Sequence, residues 1–496
     1  MFSYCKFKNS KRATIDASTN KLKIEHCLFS NNYDGLFLSN CNNVLIQNNS
    51  FINNERGISF VNASTGSVKN NVISHNTVTG LNLAYSKPDV SNNTISYNSD
   101  AVVATSMMPG AKFQYNDISH NSRAMLIVID TNLLVSHNDI SYNTNVYSSS
   151  GIIMDRSFSL IISNIFSYNN SLGSGTALSI GNYSNPLIIF NKISNNYASG
   201  STCAITDNGA GIMVIAHAAP FIVNNLICNN ESENQGGGVA TYDYGYANII
   251  NNTIVNNKTN NTYGGGGGLC IGYGYSEAVL KNNIVWGNEA PFYANQIEAI
   301  QLNAIFNVEY CDFMDTINNP NFHSVNYQNL MMSNPLFVNP SAGAGIAYNG
   351  LAANWSLQHG SPCINAGTPN TTGLNLYSTD ITGSARITGG RVDMGAYEFH
   401  GEIIGGINEN IEVSGLYLFP NPVNTTLTLF QNKSNSRMIQ FTITNSLGEA
   451  LQTEKLDPTP NYFYKTVDVS GLSKGIYLIS VTDDERKVFV KRFVKE

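Results

Sequence analysis

Tyrosines crowd one stretch of this chain, at Tyr242, Tyr244, Tyr246, Tyr263, Tyr273, Tyr275 and Tyr293. Flat rings with Asn and Gln beside them can stack on sugar faces and hydrogen-bond to hydroxyls. Tyr242, Tyr244, Tyr246, Tyr273 and Tyr275 are therefore candidate glycan contacts. The same stretch holds Glu231, Glu233, Asp243 and Glu277. Two carboxylates a few ångströms apart are what general acid–base cleavage of a glycoside requires. The glycine runs Gly236–Gly238 and Gly264–Gly267 are not followed by the Lys-Ser/Thr of a phosphate loop, which argues against a nucleotide.

What would position these groups is a repeat. Thirteen times between residues 1 and 320 the chain repeats a phrase close to Asn-Asn-x-Ile-Ser-x-Asn-Asn, as in Asn48–Asn54, Asn70–Asn76, Asn92–Asn98 and Asn251–Asn257. If its second Asn marks the register, the mark falls at Asn49, Asn71, Asn93, Asn116 and Asn138, and onward to Asn283. Cys5, Cys27 and Cys311 take its place in three copies. Two residues later the side chain is always apolar, as in Phe29, Phe51, Ile73, Ile95 and Ile118, and five residues later Asn recurs. No helical period produces this spacing. Short strands with Asn at the corners predict an all-β fold, a right-handed parallel β-helix of about 13 coils over residues 1–325. Each apolar residue then lands on its own copy about 4.8 Å away, and stacked Asn amides can bond from coil to coil.

Coil length adds a second signal. The first steps are 22 or 23 residues, and the later ones lengthen to between 26 and 34. The additions enter at one point, residues 144–150, 171–176, 198–210, 231–237 and 258–267, so they should stack into one ridge. A catalytic carboxylate pair on such a fold should occupy one repeat position on adjacent coils. Along the strands that begin Gly-Ile or Gly-Leu, the twenty outward positions contain a single acid, Asp155, whose neighbour Arg156 suggests a surface ion pair. His75, Tyr97, His120, Tyr142 and Tyr168 fall four residues after successive marks and predict an external aromatic column. His75 and His120 are then two coils apart, too far to share a metal.

Composition fits an extracellular β protein: 12% of residues are charged, with 41 Gly, 26 Tyr and 23 Phe. A net charge of −7 without a Lys/Arg stripe argues against a nucleic-acid partner. No apolar stretch approaches the ~18 residues a membrane-spanning helix needs. Eight cysteines show neither CxxC nor metal-finger spacing. The expectation is a monomer without a cofactor or an assigned metal site, with calcium left open but not indicated by any motif. Because the chain opens in register within a coil, a cap and export signal upstream of Met1 are also expected.

Beyond the repeat, Asn334–Phe337, Ser361-Pro362, Asn365–Gly367, Asp380, Gly383, Arg386 and Asp393–Glu398 resemble the terminal module of bacterial surface β-helix proteins called choice-of-anchor Q. Residues 326–400 are accordingly expected to cap the solenoid, with Arg386 paired to a carboxylate over the last coil. A calcium or active site built from Asp380, Arg386, Asp393 and Glu398 is the less favoured reading. A linker at residues 401–412 precedes residues 413–496, where alternating apolar residues and regular turns predict a seven-stranded or similar β-sandwich, Ig-like in type. Pro420-Asn421-Pro422, Leu447-Gly448, Asp468, Leu472, Gly475-Ile476-Tyr477 and Lys491-Arg492 resemble the type A C-terminal sorting domain of the type IX secretion system of Bacteroidetes. That resemblance implies handling by the type IX machinery and delivery to the outer surface, with the product either released or attached to lipopolysaccharide. The solenoid itself resembles pectate lyases and polygalacturonases in fold. Its bare acid columns favour a non-catalytic, adhesin-like glycan binder over a polysaccharide lyase or glycoside hydrolase.

Overall fold

The computed structural model describes the chain apart from residues 130–132, 174, 201–208, 261–264, 273, 292–294, 300–304, 315–324, 402–415, 420–422, 433–438, 446–447, 457–461 and 484–487. Two compact units result, Met1–Glu402 and Ile403–Glu496. The linker expected at 401–412 lies almost wholly outside the described residues.

Among the described residues the solenoid strands follow one another around a coil and pair in parallel with their equivalents in the coils before and after, the antiparallel pair Phe337–Asn339 and Asn354–Leu357 lying outside this pattern. Three parallel sheets of 14, 13 and 12 strands result. The first contains Lys23–Glu25 and Val44–Gln47, the second Leu28–Ser30 and Ser50–Ile52, the third Asp34–Ser39 and Arg56–Val61. In the second sheet Phe51 pairs with Ile73, Ile73 with Ile95 and Ile95 with Ile118, all fully buried. Phe7, Phe29 and Phe51 stack with ring centroids 4.8 and 4.6 Å apart. The apolar column read from the repeat is therefore the core.

Each Asn-Asn pair divides its labour. The first Asn turns the chain: Asn48, Asn70 and Asn92 all have φ 56°, a left-handed conformation that Asn tolerates better than most residues. The second points inward and is buried. Asn93 Nδ2 donates to Asn116 Oδ1 at 2.9 Å, to Val68 O at 2.9 Å and to Ser91 O at 3.1 Å. Its Oδ1 accepts from the backbone N and the Nδ2 of Asn71. This amide ladder runs unbroken from Asn49 to Asn283. A second ladder, five residues on, runs from Asn32 to Asn288 and closes on Gln296 Oε1. Cys27 and Cys311 stand at the two ends of the first ladder, each sulfur accepting a backbone N–H from an adjacent coil. They are buried free thiols in a structural column.

Residues 334–400 do not sit over the last coil as the sequence suggests. They lie along the side of the solenoid, across strands of the second sheet from Lys192–Ser194 to Asp312–Phe313. Phe337, Trp355, Leu357, Cys363 and Met394 cover the outward residues Leu226, Cys228, Val255 and Ile284. The physical reason is visible in those four outward positions. They are apolar in these coils, where earlier coils carry Thr94, Asp117 and Asp139 in the column of Leu226 and Ile284 and Ser96, Ser119 and Ser141 in the column of Cys228 and Val255, so the late coils require a cover. Corner asparagines fasten it: Asn195 Nδ2 donates to Tyr348 O at 2.6 Å, Asn229 Nδ2 to Gly343 O at 2.8 Å and Asn251 Nδ2 to Asp393 O at 2.9 Å.

The second unit comprises two antiparallel sheets. One holds Leu416–Phe419, Thr426–Asn432 and Tyr462–Asp468, the other Ala450–Leu456, Ile439–Thr444, Gly475–Asp483 and Val488–Lys495. Leu427, Leu429 and Val467 from one share a buried cluster with Phe441, Ile443, Ile479, Val481 and Phe493 from the other.

Replacing Asn116 by Ala removes the acceptor of Asn93 and strands buried donors and carbonyls on both sides. The expected loss is about 1–3 kcal/mol per orphaned group, whereas Asn92→Ala at the exposed corner should cost only about 1–2 kcal/mol of left-handed backbone strain. Urea denaturation of the two variants measures the difference, and equal midpoints would contradict the ladder's role.

Candidate binding face

The insertions do enter at one point and do stack. Thr144–Asn145, Asn170–Ser171, Tyr197–Ala198, Glu231–Ser232 and Lys258–Thr259 form a fourth parallel sheet of five strands. Parts of two insertions, 201–208 and 261–264, lie outside the described residues. Beyond this sheet the inserted chain folds back over the third sheet instead of standing away from it. Gly175, Gly209, Gly236 and Gly266 have φ of 66°, 76°, 66° and 73°, and a side chain on any of them would strike the carbonyl of Leu178, Ile212, Val239 or Leu269. The outward residues Met213, Ala240 and Cys270 are buried beneath them. Among the described residues the glycines of these runs thus close backbone on backbone and leave no room for a ligand between them.

Tyr242 belongs to that closure. It is only 2% exposed, its hydroxyl donates to Gln235 Oε1 at 2.6 Å and lies 3.2 Å from Cys270 Sγ, and its ring fills the space above Gly272. Its expected place on an open surface is corrected: the phenol is a buried side chain of the third sheet's cover. Tyr244, Tyr246 and Tyr275 are exposed, at 45%, 36% and 65%. Tyr263, Tyr273 and Tyr293 fall outside the described residues.

Tyr244 and Tyr275 are not isolated rings. Tyr183, His217, Tyr244 and Tyr275 stack on successive coils at 5.0, 4.8 and 5.8 Å. The expected column, His75, Tyr97, His120, Tyr142 and Tyr168, stacks likewise at 4.9, 5.1, 5.4 and 5.1 Å. Except at the column ends, the ring faces are occupied by neighbouring rings. What reaches solvent is an edge bearing a phenol hydroxyl or an imidazole nitrogen. Every ring of both columns has φ between 55° and 62°, so each replaces Asn at a left-handed corner, and stacking offsets part of the strain.

Carboxylates gather in two places that the sequence reading did not join. Asp117 and Asp139 are exposed register partners on the second sheet. Their signal in the sequence is the repeated Asn-Asp-Ile-Ser at Asn116–Ser119 and Asn138–Ser141, outside the Gly-Ile strands of the third sheet. On the fourth sheet Tyr197, Glu231 and Lys258 are register partners. Asn260 Nδ2 donates to Glu231 Oε1 at 2.7 Å and to Glu233 Oε1 at 2.9 Å, and Tyr197 Oη donates to Glu233 Oε1 at 2.5 Å. Lys258 Nζ lies 3.6 Å from Glu231 Oε1, and Ile346 N donates to Glu231 Oε2. Asp243 and Glu277 do not join this cluster. Asp155 and Arg156 form the expected surface pair at 2.9 Å.

The Asp380, Arg386, Asp393 and Glu398 group is a folding device of the lateral layer. Arg386 is buried, donating from Nη2 to Asp393 O and Gly395 O, with Nη1 3.8 Å from Glu398 Oε2. The carboxylates are engaged by backbone N–H groups of Asn365, Thr382, Glu398 and Phe399. Among the described residues no group of three or more His, Cys, Asp or Glu is arranged to hold a metal ion.

In the second unit Gly448 closes a turn at φ 83°, its N–H donating to Asn445 O. Gly475 opens the strand Gly475–Asp483 and Lys491 pairs with Ile479. Tyr477 is buried against Phe493 and donates to Ser473 O at 2.8 Å. Hydrogen bonds from the Ser470 hydroxyl and from its backbone N, the latter 2.8 Å from Oδ1, hold the Asp468 carboxyl below the usual range. Pro420, Asn421 and Pro422 lie outside the described residues. Residues 1–114 match the family described as right handed beta helix region, and residues 417–496 match the secretion system C-terminal sorting domain. No curated protein matches the chain.

Burial pushes Glu398 up to about 7 and Asp312, under Cys363 of the lateral layer, up to about 6. An unfolded carboxyl titrates near ~4, so the native state holds protons that the unfolded chain releases between about pH 4 and 7. Stability should therefore fall as pH rises through that window. Thermal melts are expected to give a higher Tm at pH 5.5 than at pH 8, with a smaller difference in Glu398→Gln. A Tm that rises with pH would contradict it.

Proposed function

We infer that the second unit, matched over residues 417–496 by the secretion system C-terminal sorting domain, directs export to the cell surface or extracellular space and handling by the type IX machinery. We propose that the exported β-helix is a non-catalytic, adhesin-like glycan binder. The observation that carries this reading is the column His75–Tyr168, five stacked rings, one per coil, with Tyr97 and Tyr142 53% and 50% exposed. Its upper members, Tyr142 and Tyr168, are followed directly by the first two strands of the fourth sheet. A regular row of phenol and imidazole edges suits a regular polymer rich in hydroxyls, and contact through edges is hydrogen bonding in place of face stacking. Tyr244 and Tyr275 offer the same chemistry on the second column.

Tyr97→Phe/Tyr142→Phe keeps both rings in the stack and removes only the hydroxyls. The test is to screen the chain on a polysaccharide array, then titrate wild type and this variant with the best polymer. About 0.5–1.5 kcal/mol per hydrogen bond implies roughly a tenfold weaker Kd at unchanged Tm. Unchanged affinity would remove the column from the site.

A second reading, a glycoside hydrolase, rests on Glu231 and Glu233. One amide nitrogen, that of Asn260, donates to a carboxyl oxygen of each and so holds the two acids close together, as a pair of catalytic carboxylates must be. Release of reducing ends from the bound polymer, abolished in Glu231→Gln and Glu233→Gln, would favour it over the binder.

Export itself is testable. Deleting residues 413–496 should leave the solenoid folded, since the two units have separate cores, but retained inside the outer membrane. Protease shaving of intact cells would then leave the truncated protein uncut, and normal surface exposure would contradict the sorting role.

A further inference from the structure

Charge is distributed unevenly along the solenoid. Residues 1–25 carry six Lys or Arg against two acids, whereas residues 26–330 carry nine Lys or Arg against eighteen acids. The alternation Lys6-Phe7-Lys8 turns Phe7 into the core and both lysines outward on the second sheet, and Lys11 and Arg12 follow at the next corner. Lys6 and Lys8 are about 6.6 Å apart along the strand. All four cations are exposed, and among the described residues none of them has an ion-pair partner, whereas Lys23 pairs with Glu25 at 2.8 Å.

On the second sheet nothing neutralises Lys6 and Lys8, and beside the corner of Lys11 and Arg12 the acids Asp34 and Glu55 are already shared with Arg56, at 3.6 and 3.9 Å. The register partners of Lys6 and Lys8 in the next four coils are Leu28 and Ser30, Ser50 and Ile52, Val72 and Ser74, then Thr94 and Ser96. The first acid on that face is Asp117, five coils away. A line of unpaired cations beside an uncharged surface produces a local positive field on a chain whose net charge is −7. Next to it the Tyr4 ring stacks on His26 at 4.9 Å and is itself 79% exposed.

We propose that Lys6, Lys8, Lys11 and Arg12 form a binding site for an acidic polysaccharide, one carrying carboxylate or sulfate groups at regular intervals. The site deepens the glycan-binding reading but stands on separate residues from the aromatic column. Charge complementarity selects a polyanion. Delivery to the cell surface and a strand-long row of cations select an extended acidic glycan, and Tyr4 adds a ring to the row.

The probe is polygalacturonate, with uncharged dextran, duplex DNA and anionic phospholipid vesicles alongside, at low and at 0.5 M salt. Wild type should bind polygalacturonate and not dextran, and binding should be lost at high salt. The Lys6→Gln/Lys8→Gln/Lys11→Gln/Arg12→Gln variant should lose about tenfold or more in affinity, while Lys6→Arg/Lys8→Arg retains it. Unchanged melting of both variants separates lost binding from lost folding. Equal binding by wild type and the Gln variant, equal binding of dextran, or tighter binding of DNA or vesicles than of polygalacturonate would each overturn the proposal. Tyr97→Phe/Tyr142→Phe should bind polygalacturonate as wild type does, so failure of the column leaves this site standing and the reverse.

Discussion

A primary amide has two donors and an acceptor, and in this solenoid it uses all of them along and across the coil axis. Asn93 accepts from the coil before, donates to the coil after and ties down two backbone carbonyls, Ser91 O of its own turn and Val68 O of the preceding coil. An ordinary corner would leave those carbonyls buried without partners, at a cost near 1–3 kcal/mol each. Two such ladders fix the coil-to-coil register, and the register in turn places Phe on Phe, Ile on Ile and ring on ring. Either ladder slipping by one residue would turn the apolar column outward.

Once the ladders hold the register, the rest of each coil is free to vary. Corners need only a residue that accepts a left-handed backbone, and Tyr or His serves where neighbouring rings stack on it. Insertions can enter after the second corner because Asn143, Asn169, Asn196 and Asn230 continue the ladder across them. The fourth sheet, the glycine-closed cover of the third sheet and the lateral layer are all additions to that frame. The surfaces available for recognition are therefore rows with the pitch of the coils, which suits a repeating polymer better than a compact ligand.

The repeat, its period, the core column and the stacking insertions were legible because each leaves a periodic mark. The roles within Asn-Asn were less legible, since the same residue type turns the chain at Asn92 and is buried at Asn93. Tyr242 was misread because exposure depends on whether an insertion folds back, and glycine permits both an open approach and a tight closure. The lateral path of residues 334–400 follows from apolar residues at outward positions, Leu226, Val255 and Ile284, which look in sequence like one more turn of the core pattern. Asp117 and Asp139 are legible as a repeated Asn-Asp-Ile-Ser, but they belong to the second sheet and not to the Gly-Ile strands where a catalytic column is expected.

The register claim is most directly tested by paired cysteines. Thr94 and Asp117 are partners on adjacent coils, with Cα atoms about 4.8 Å apart, inside the range a disulfide spans, whereas Thr94 and Asp139 are two coils apart at roughly twice that distance. Oxidation of Thr94→Cys/Asp117→Cys should close an intramolecular disulfide that mass spectrometry identifies, and Thr94→Cys/Asp139→Cys should stay reduced. Cross-linking of the second pair in preference to the first would contradict the in-register amide ladder.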